Sequence, residues 1–330
     1  MKIREALNLY ITVSRWEFLP AVFIGIFIGI LIGANSVGSI IAVDSFPFIL
    51  EGILIFILLF NVGFMVNCWS DWKVDELYKT RLYKAVKKLG RRSLGAIIII
   101  HIFLSILLAF HLSIVLQKIE ISILVWIGTF LGVGYSIEPI RLKKRGILHS
   151  IVAFPIFFIP GVYSYFLVTS FTITDLYTIF FLIAATGITI SHYALILISQ
   201  AEDQPDDKKM GLFTPAVKWG IFKTIKLSYY LNVLGSILTI LAIMGLFLFV
   251  NILLLILIPL VILGRYFSFK EVRRLVKRSK SILSETFLLQ EIRQKMSEYP
   301  LWHAYGLSGI TISCLCILLS KTFGFVQPIL

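Results

Sequence analysis

Two short acidic stretches hold the residues of this chain that are best suited to chemistry, and each follows a long apolar run. The first acidic motif is Asn67, Asp71 and Asp75, with spacings of four and four, and the second acidic motif is Asp203 and Asp207, again four apart. Residues four apart lie on the same face of a helix. If both stretches are helical, each motif presents its oxygen atoms along one face.

The side chains of both motifs suit a hard metal ion that is bound together with phosphate. Carboxylate and carboxamide oxygens are typical Mg²⁺ ligands, and protein-bound Mg²⁺ is often shared with phosphate oxygens. Neither motif has the thiolates or imidazoles of a zinc or copper site. A basic stretch from Tyr135 to Gly146 lies between the motifs, and its Arg141 and Lys143 can bind phosphate oxygens.

Solvated carboxylates at a membrane boundary explain either acidic motif alone equally well. Basic residues after an apolar run are also often no more than determinants of membrane topology. The combination of two equally spaced acidic motifs and one basic stretch favours a site for phosphate or diphosphate and Mg²⁺.

The composition places these motifs in a membrane protein. Of the 330 residues, 58% are hydrophobic and 15% are charged, whereas about a quarter of a soluble domain is charged. The net charge of +13 would suggest nucleic acid in a soluble protein, but membrane topology explains it better here. Three cysteines indicate neither a disulfide framework nor a zinc site. With no linker, residues 1–330 are predicted to form a single integral membrane domain.

Hydropathy predicts an all-α, polytopic protein with nine transmembrane helices in a single bundle. The criterion is roughly 20 consecutive apolar residues for each span. The predicted spans are Phe18–Ile41, Phe46–Cys68, Ser93–Leu116, Ser122–Ser136, Ser150–Phe171, Leu176–Gln200, Ile225–Leu246, Leu248–Tyr266 and Leu301–Phe325.

The distribution of basic residues supports nine spans and predicts their orientation. Of 31 Lys and Arg, only Lys118 and Lys321 fall on the face that the N-terminus does not share. Because basic residues gather in cytosolic loops, the N-terminus is predicted to be cytosolic and the C-terminus outside, in a cell (plasma) membrane. Both acidic motifs and the basic stretch then emerge at the cytosolic face, where they can converge.

Two further basic segments are predicted to be cytosolic cap helices at the membrane surface. The stretch Leu82–Leu89 has apolar positions at helical spacing with cations between them, which is typical of an interfacial helix. The longer segment from Arg265 to Tyr299 is interpreted in the same way.

The three motifs together resemble those of the UbiA superfamily of intramembrane prenyltransferases. The first family motif, Asn-x3-Asp-x3-Asp, is matched at Asn67. The second, Asp-x3-Asp-x3-Gly followed by Thr, is matched at Asp203, with Gly211 and Thr214. The family loop Tyr-Ser-x-x-Pro-x-Arg-Leu-Lys is matched from Tyr135 through Lys143. One departure is the run from Glu76 to Tyr83, where many members have Asn-Pro-x-Arg-Pro and where Arg81 is the nearest counterpart of the family arginine.

The resemblance implies a reaction and a role for each residue. An isoprenyl diphosphate is ionised with Mg²⁺, and its polyprenyl group passes to an aromatic or other lipid-precursor acceptor. The implied metal ligands are Asn67, Asp71, Asp75, Asp203 and Asp207; the implied diphosphate ligands are Arg141, Lys143, Arg81, Lys209 and Arg15; the implied catalytic residues are Asp71, Asp203, Asp207 and Tyr135. Its expected partners are these small molecules and membrane lipid, with no nucleic acid and no obligatory protein partner.

Other activities are compatible with the same residues. A terpene cyclase or hydratase of the superfamily would ionise the same diphosphate without a separate organic acceptor. A cation transporter is disfavoured because the carboxylates lie at one interface, whereas transporter sites usually lie near the midplane. His192, with Ser191 and Tyr193, is a candidate for lining an acceptor pocket, although ordinary helix packing is the favoured interpretation.

Overall fold

The computed structural model describes most of the chain, and that part is helical throughout. The described residues are 3–37, 46–145, 147–169, 175–209, 211–250, 252–281, 284–295, 298 and 307–316, and none of them is in a strand. The predicted all-α class is confirmed. Helix is also the expected solution for such apolar runs, because within lipid each backbone N–H and C=O must be paired inside its own segment.

The helices follow one another with short connections. In chain order they are α1 (Ile3–Val13), α2 (Leu19–Val37), α3 (Phe46–Tyr78), α4 (Thr80–Leu89), α5 (Arg91–Val115), α6 (Ile119–Ser136), α7 (Ile147–Phe166), α8 (Leu176–Lys209), α9 (Pro215–Trp219), α10 (Ile221–Val250), α11 (Ile258–Ser281), α12 (Glu285–Lys295) and α13 (Leu307–Cys316), with 3-10 turns at Trp16–Phe18, Leu142–Lys144 and Ile252–Leu257.

Apolar helical segments of the described residues overlap each predicted span, while residues 38–41, 170–171, 251, 301–306 and 317–325 of the predicted spans lie outside the described residues. Within the described residues, five segments are long and apolar enough to cross a membrane: Phe46–Lys73, Arg91–Val115, Ile119–Ser136, Leu176–Lys209 and Ile221–Leu248. Four shorter apolar helices overlap the remaining predicted spans: Gly25–Ala34, Val152–Phe166, Leu255–Phe267 and Leu307–Cys316. The count of nine spans stays a prediction, because length and composition alone support it.

The chain divides into two compact units. The first unit comprises Met1–Leu19 and Pro47–Val152, and the second comprises Pro20–Phe46 and Ala153–Leu330. In the first unit, Val13 of α1 packs with Met65 of α3, Val86 of α4 and Leu94 of α5 in one buried apolar cluster. This cluster holds α3 in place just before the first acidic motif begins. The single domain over 1–330 stays a prediction.

The second unit has a core in which α8 and α10 approach each other closely. A Cβ on Gly235 would clash with the carbonyl oxygen of Gly187, and a Cβ on Gly187 would lie 2.7 Å from that of Gly235. Small residues permit such backbone contact between membrane helices. These two glycines therefore fix the position of α8, the helix that ends in the second acidic motif.

Arg265 of α11 lies inside the second unit, which corrects the interpretation of Arg265–Tyr299 as a surface segment. Arg265 is 1% exposed. Its Nε donates to Ser236 Oγ at 3.0 Å and its Nη2 donates to Ser191 Oγ at 2.5 Å. Its Nη1 has no hydrogen-bond partner within the described part of the chain. The guanidinium thus links α8, α10 and α11, and the basic pattern in the sequence continues beyond it into exposed positions.

The stretch predicted to be an interfacial helix forms α4. Ala85 and Val86 are buried on one face, and Lys84, Lys87 and Lys88 are exposed on the other. The amphipathic helix is confirmed, while its position at a membrane surface stays a prediction.

Candidate active site

The first acidic motif lies on one continuous helix. The predicted span ended at Cys68, but α3 continues to Tyr78, so Asn67, Asp71 and Asp75 share one helical stretch and one face. Asn67 and Asp71 are half-buried, and Asp75 is 6% exposed. The carboxylates are therefore partly withdrawn from solvent, in contrast to those of a freely solvated helix end.

The basic stretch is a folded loop that directs its cations toward α3. Arg145 donates from Nε to the carbonyl oxygen of Ile140 and from Nη2 to that of Pro139, each at 2.7 Å. The Glu138–Pro139 peptide bond is cis, and Arg141 has a φ of 32° in the left-handed region. Arg145 thus closes the loop on itself, and Arg141 and Lys143 of this loop contact the first acidic motif.

Asp71 is paired with two cations of this loop. Arg141 Nη2 donates to Asp71 Oδ1 at 2.9 Å, and Lys143 Nζ donates to Asp71 Oδ2. The three side chains are only 11 to 17% exposed. Arg141 also pairs through Nη1 with the exposed Glu138, at 3.0 Å. The sequence predicted that these cations bind phosphate; in the structure they bind the acidic motif itself.

Two oxygen atoms of the first acidic motif converge on one cationic atom. Lys143 Nζ donates to Asn67 Oδ1 at 2.7 Å as well as to Asp71 Oδ2. The ammonium group marks a point at which a carboxamide and a carboxylate oxygen both meet a positive charge. Ser136 Oγ also donates to Asn67 Oδ1, at 3.2 Å, which orients the carboxamide oxygen toward this point.

These donors fit Mg²⁺ as a partial coordination shell. Among the described residues, no three His, Cys, Asp or Glu side chains lie close enough to form a metal site by themselves. Mg²⁺ commonly binds through one or two carboxylates, with waters and substrate phosphates completing its six ligands. Asn67 and Asp71 can supply such a partial shell, and phosphate oxygens can supply remaining ligands.

Burial shifts the pKa of two charged groups at this site. Burial raises the pKa of Asp75 to about 6; the charge of Lys79 opposes this shift and the charge of Asp71 adds to it. Burial lowers the pKa of Lys143, and its contact with Asp71 opposes that change. In both cases burial disfavours the charged form of the side chain, and a nearby opposite charge favours it.

The second acidic motif lies at the C-terminal end of α8. Asp203 is half-buried and Asp207 is 8% exposed. After the helix, Gly211 adopts a φ of +67°, a conformation that favours glycine. The chain then returns so that Thr214 Oγ1 donates to Asp207 Oδ2 at 3.1 Å. Thr214 also caps α9 by accepting from Val217 N at 3.4 Å.

This geometry gives a physical reason for the spacing of the second motif. Gly211 allows the reversal, and Thr214 holds the Asp207 carboxylate in one orientation while starting the next helix. The role of Thr214 in orienting Asp207 was not deduced from the sequence, although the threonine was part of the matched motif. The same is true of Ser136, whose hydroxyl contacts Asn67.

The other predicted site residues have varied surroundings. Tyr135 is half-buried on α6, Arg81 is exposed on α4, and Lys209 is exposed at the end of α8. Arg15 is half-buried, lies 4.5 Å from the ring centre of Phe18 and lowers the pKa of Asp75 through its charge. The structure thus brings Arg141 and Lys143 to the first acidic motif, while the proposed substrate contacts of these four residues stay predictions.

Comparison with known proteins identifies the family. The model of the UbiA prenyltransferase family matches residues 19–290, which is most of the chain. This protein belongs to the UbiA prenyltransferase family. The resemblance inferred from the three motifs is confirmed, and with its apolar helices this UbiA-family chain is an integral membrane protein. No curated protein sequence matches it.

Solved structures share the fold of this UbiA-family protein at low sequence identity. A structure described for digeranylgeranylglyceryl phosphate synthase in membranes matches with a TM-score of 0.63 and 18% identity, over 94% of this chain and 99% of that one. A UbiA homolog from Archaeoglobus fulgidus bound to GPP and Mg²⁺ gives 0.59 and 17%, over 92% and 99%. The apo UbiA homolog from Aeropyrum pernix K1 gives 0.60 and 12%, over 86% and 96%.

Proposed function

We propose that this UbiA-family protein is a Mg²⁺-dependent intramembrane prenyltransferase. Its donor is an isoprenyl diphosphate, and its acceptor is an aromatic or other lipid-precursor small molecule. The observation that carries the proposal is the convergence of Asn67 and Asp71 oxygens on Lys143 Nζ, beside Arg141. Homologues of the same fold bound to GPP or DMAPP together with Mg²⁺ support the choice of donor and metal.

The pairing of Asp71 with two cations suggests how the site exchanges its partners. For Asn67 and Asp71 to hold a metal ion, Lys143 must release their oxygens, because two cations repel each other strongly at such short range. The released ammonium and the Arg141 guanidinium then become donors for phosphate oxygens. A bound Mg²⁺ ion would neutralise charge on the diphosphate.

The chain's own cations then act on the leaving group. As the allylic carbon–oxygen bond breaks, negative charge accumulates on the diphosphate, and positioned cations such as Arg141 and Lys143 stabilise it. We propose Tyr135, Arg15, Arg81 and Lys209 as further contributors to diphosphate binding. The surrounding apolar helices exclude water, which protects an allylic cation until the acceptor captures it.

The second acidic motif is proposed to contribute ligands of the same kind. Asp207 is oriented by Thr214, and Asp203 lies one helical turn earlier on α8. Since basic residues concentrate in the predicted loops that share a face with the N-terminus, we further propose that both motifs act at the cytosolic side of a plasma membrane.

Diphosphate release with and without Mg²⁺ tests the proposal. Purified protein in liposomes is given geranyl, farnesyl or geranylgeranyl diphosphate and a panel of aromatic and glycerol phosphate acceptors. Wild type is expected to release diphosphate only with Mg²⁺, and Asp71→Asn and Asp207→Asn are expected to release none above background. The matched control is Asp206→Asn, because Asp206 is on the same helix but pairs with Arg293 at 3.7 Å. Mg²⁺-independent release, or full activity in both motif variants, would contradict the proposal.

A further inference from the structure

A narrow apolar cleft lies inside the second unit, between α2, α7 and α8. Glycines from two helices and aromatic side chains line it, including Gly25, Gly29, Phe157 and Phe181, with His192 as a polar member. Its volume is about 20 Å³, enough for little more than one water molecule. The cleft therefore has room for the end of an apolar chain and none for a longer segment.

The α8 residues that line the cleft lie on the same face of the helix as Asp203. His192 and Asp203 are separated by eleven residues, which at 3.6 residues per turn leaves them about 20° apart around the axis. The other α8 residues that line the cleft, Phe181, Ala185, Ile188 and Thr189, continue the same stripe at helical spacing. A ligand anchored by its phosphates near Asp203 and lying along this face of α8 points toward His192.

His192 and Phe157 form a fixed barrier at the cleft. Their rings are stacked, with centroids 5.4 Å apart and an angle of 4° between the planes. His192 Nδ1 donates to the carbonyl oxygen of Ile188 at 3.0 Å, which fixes the orientation of the imidazole. Gly25 lies against this pair: a Cβ added there would be 3.9 Å from His192 Cε1.

The distance from the second acidic motif to this barrier corresponds to a short isoprenyl chain. Eleven residues of α8 span about 16.5 Å at 1.5 Å per residue. An isoprene unit adds four bonds to the length of the chain. With the advance per bond of a fully extended polypeptide backbone, these four bonds span about 5 Å. The barrier thus lies about three isoprene units from Asp203.

We propose that His192, Phe157 and Gly25 form the end stop for the donor chain and select donors of about three isoprene units. This inference rests on the proposed prenyltransferase function, and it adds a specificity-determining role for residues that ordinary packing would otherwise explain. When the donor's diphosphate lies beyond Asp203 and its C1 carbon is level with Asp203, a farnesyl chain reaches the stacked pair, whereas a geranylgeranyl chain must displace it. A geranyl chain ends before the cleft.

Two substitutions change the cleft in opposite directions. Gly25→Ala places a methyl group 3.9 Å from His192 Cε1 and 4.0 Å from Ile188 Cγ2, which is ordinary contact, and alanine is favoured over glycine in a helix. It fills the cleft without a clash. Phe157→Ala removes the aromatic half of the barrier, and Phe157→Leu is the alternative that keeps a large apolar side chain at this half-buried position. Phe154→Leu is the matched control, because Phe154 lies on the same helix as Phe157, is 36% exposed and is not among the described residues that line the cleft.

The test compares kcat/KM for diphosphate release from geranyl, farnesyl and geranylgeranyl diphosphate. Gly25→Ala is expected to lower the farnesyl-to-geranyl ratio roughly tenfold, the scale of one methylene in an apolar pocket. Phe157→Ala or Phe157→Leu is expected to raise the geranylgeranyl-to-farnesyl ratio by a similar factor, and Phe154→Leu to leave both ratios unchanged.

The outcomes separate this inference from the function on which it rests. Active variants with ratios equal to those of wild type would overturn the end stop and leave the prenyltransferase function intact. If wild type releases diphosphate from none of the three donors, the proposed function fails, and the end stop fails with it. A shift in the ratios for Phe154→Leu as large as that for Phe157→Leu would also overturn the end stop, because the effect would then not come from the cleft.

Discussion

The ion pairs of Asp71 with the loop should make an unusually large contribution to the stability of this protein. Asp71 binds Arg141 at 2.9 Å and also Lys143, and all three side chains are at most 17% exposed. A hydrogen bond to a charged group contributes about 1.5–3 kcal/mol, and removing one partner of a buried pair costs about 3–5 kcal/mol. Because some solvent contact remains, we expect Asp71→Ala to lower the free energy of unfolding by about 2–3 kcal/mol.

A double-mutant cycle measures the interaction energy between Asp71 and Lys143. Asp71→Asn, Lys143→Met and the double variant are unfolded in mixed micelles, and the coupling energy is expected to be about 1–2 kcal/mol, within the range for residues in direct contact. Removing both partners should cost less than the sum of the single changes, since neither buried charge is then left alone. Glu138→Gln is the control: Glu138 is 60% exposed, so its loss should cost less than about 1 kcal/mol.

A second readout follows the loop itself. If Asp71 anchors the loop, Asp71→Ala should speed tryptic cleavage after the exposed Arg145, while Glu138→Gln should not. A coupling energy near zero, or cleavage at the wild-type rate in Asp71→Ala, would refute the claim that these ion pairs position the loop.

Three further predictions concern other parts of the structure. Thr214→Val should lower the rate of diphosphate release and cost about 1 kcal/mol of stability, because it removes the hydrogen bond to Asp207; Thr214→Ser should restore both, and equal rates in the two variants would contradict the orienting role. Burial raises the pKa of Asp75 to about 6, so the folded state holds this proton more tightly and the free energy of unfolding falls as the pH rises from about 4 to 6. Thermal unfolding should therefore show Asp75→Asn to be more stable than wild type at pH 8 by about 1–3 kcal/mol and no more stable at pH 4. A difference that does not change with pH would be inconsistent with this cause. Arg265→Met should keep the fold, because it removes the buried charge and fills most of the volume, whereas Arg265→Ala should lower the unfolding midpoint in detergent by an amount equivalent to about 1–3 kcal/mol; equal midpoints for the two variants would argue against Arg265 as a link between helices.

Much of the architecture could be predicted from hydropathy and charge, because lipid imposes strong rules on a chain. An apolar run of about 20 residues has few solutions other than a helix, and each predicted span overlaps a described apolar helix. The exception is Arg265, which sequence placed in a surface segment. A basic residue at the edge of an apolar run looks like an interfacial cation, and only packing shows that Ser191 and Ser236 surround it.

The candidate site was predictable as residue types and only partly as contacts. Spacing of four predicted that Asn67 and Asp71 share a face, because that follows from helix geometry alone. The pairing of Lys143 with Asp71 depends on the course of a ten-residue loop, and the positions of the cations in the sequence do not predict which way this loop turns. The hydrogen bonds from Arg145 to two backbone carbonyl oxygens determine the course of the loop.

The cleft at His192 illustrates the limit of sequence interpretation in the membrane interior. His192 was noticed as a polar residue in an apolar run, and ordinary packing was favoured. Its stack against Phe157 joins residues 35 positions apart, and no periodicity within either helix indicates such a contact. In contrast, the alignment of His192 with Asp203 on one face follows from the helical repeat, because α8 is continuous.

The central claim is that Asn67 and Asp71 bind Mg²⁺ while the cations they release bind diphosphate. The most direct measurement is Mg²⁺-dependent diphosphate release by wild type, Asp71→Asn and Lys143→Met, titrated with Mg²⁺ at fixed farnesyl diphosphate. We expect Asp71→Asn to be inactive at every Mg²⁺ concentration. We expect Lys143→Met to reach half-saturation at a lower Mg²⁺ concentration but with a lower maximal rate, because the competing ammonium and a phosphate donor are both lost. Half-saturation of Lys143→Met at the wild-type concentration with an unchanged maximal rate would contradict the account.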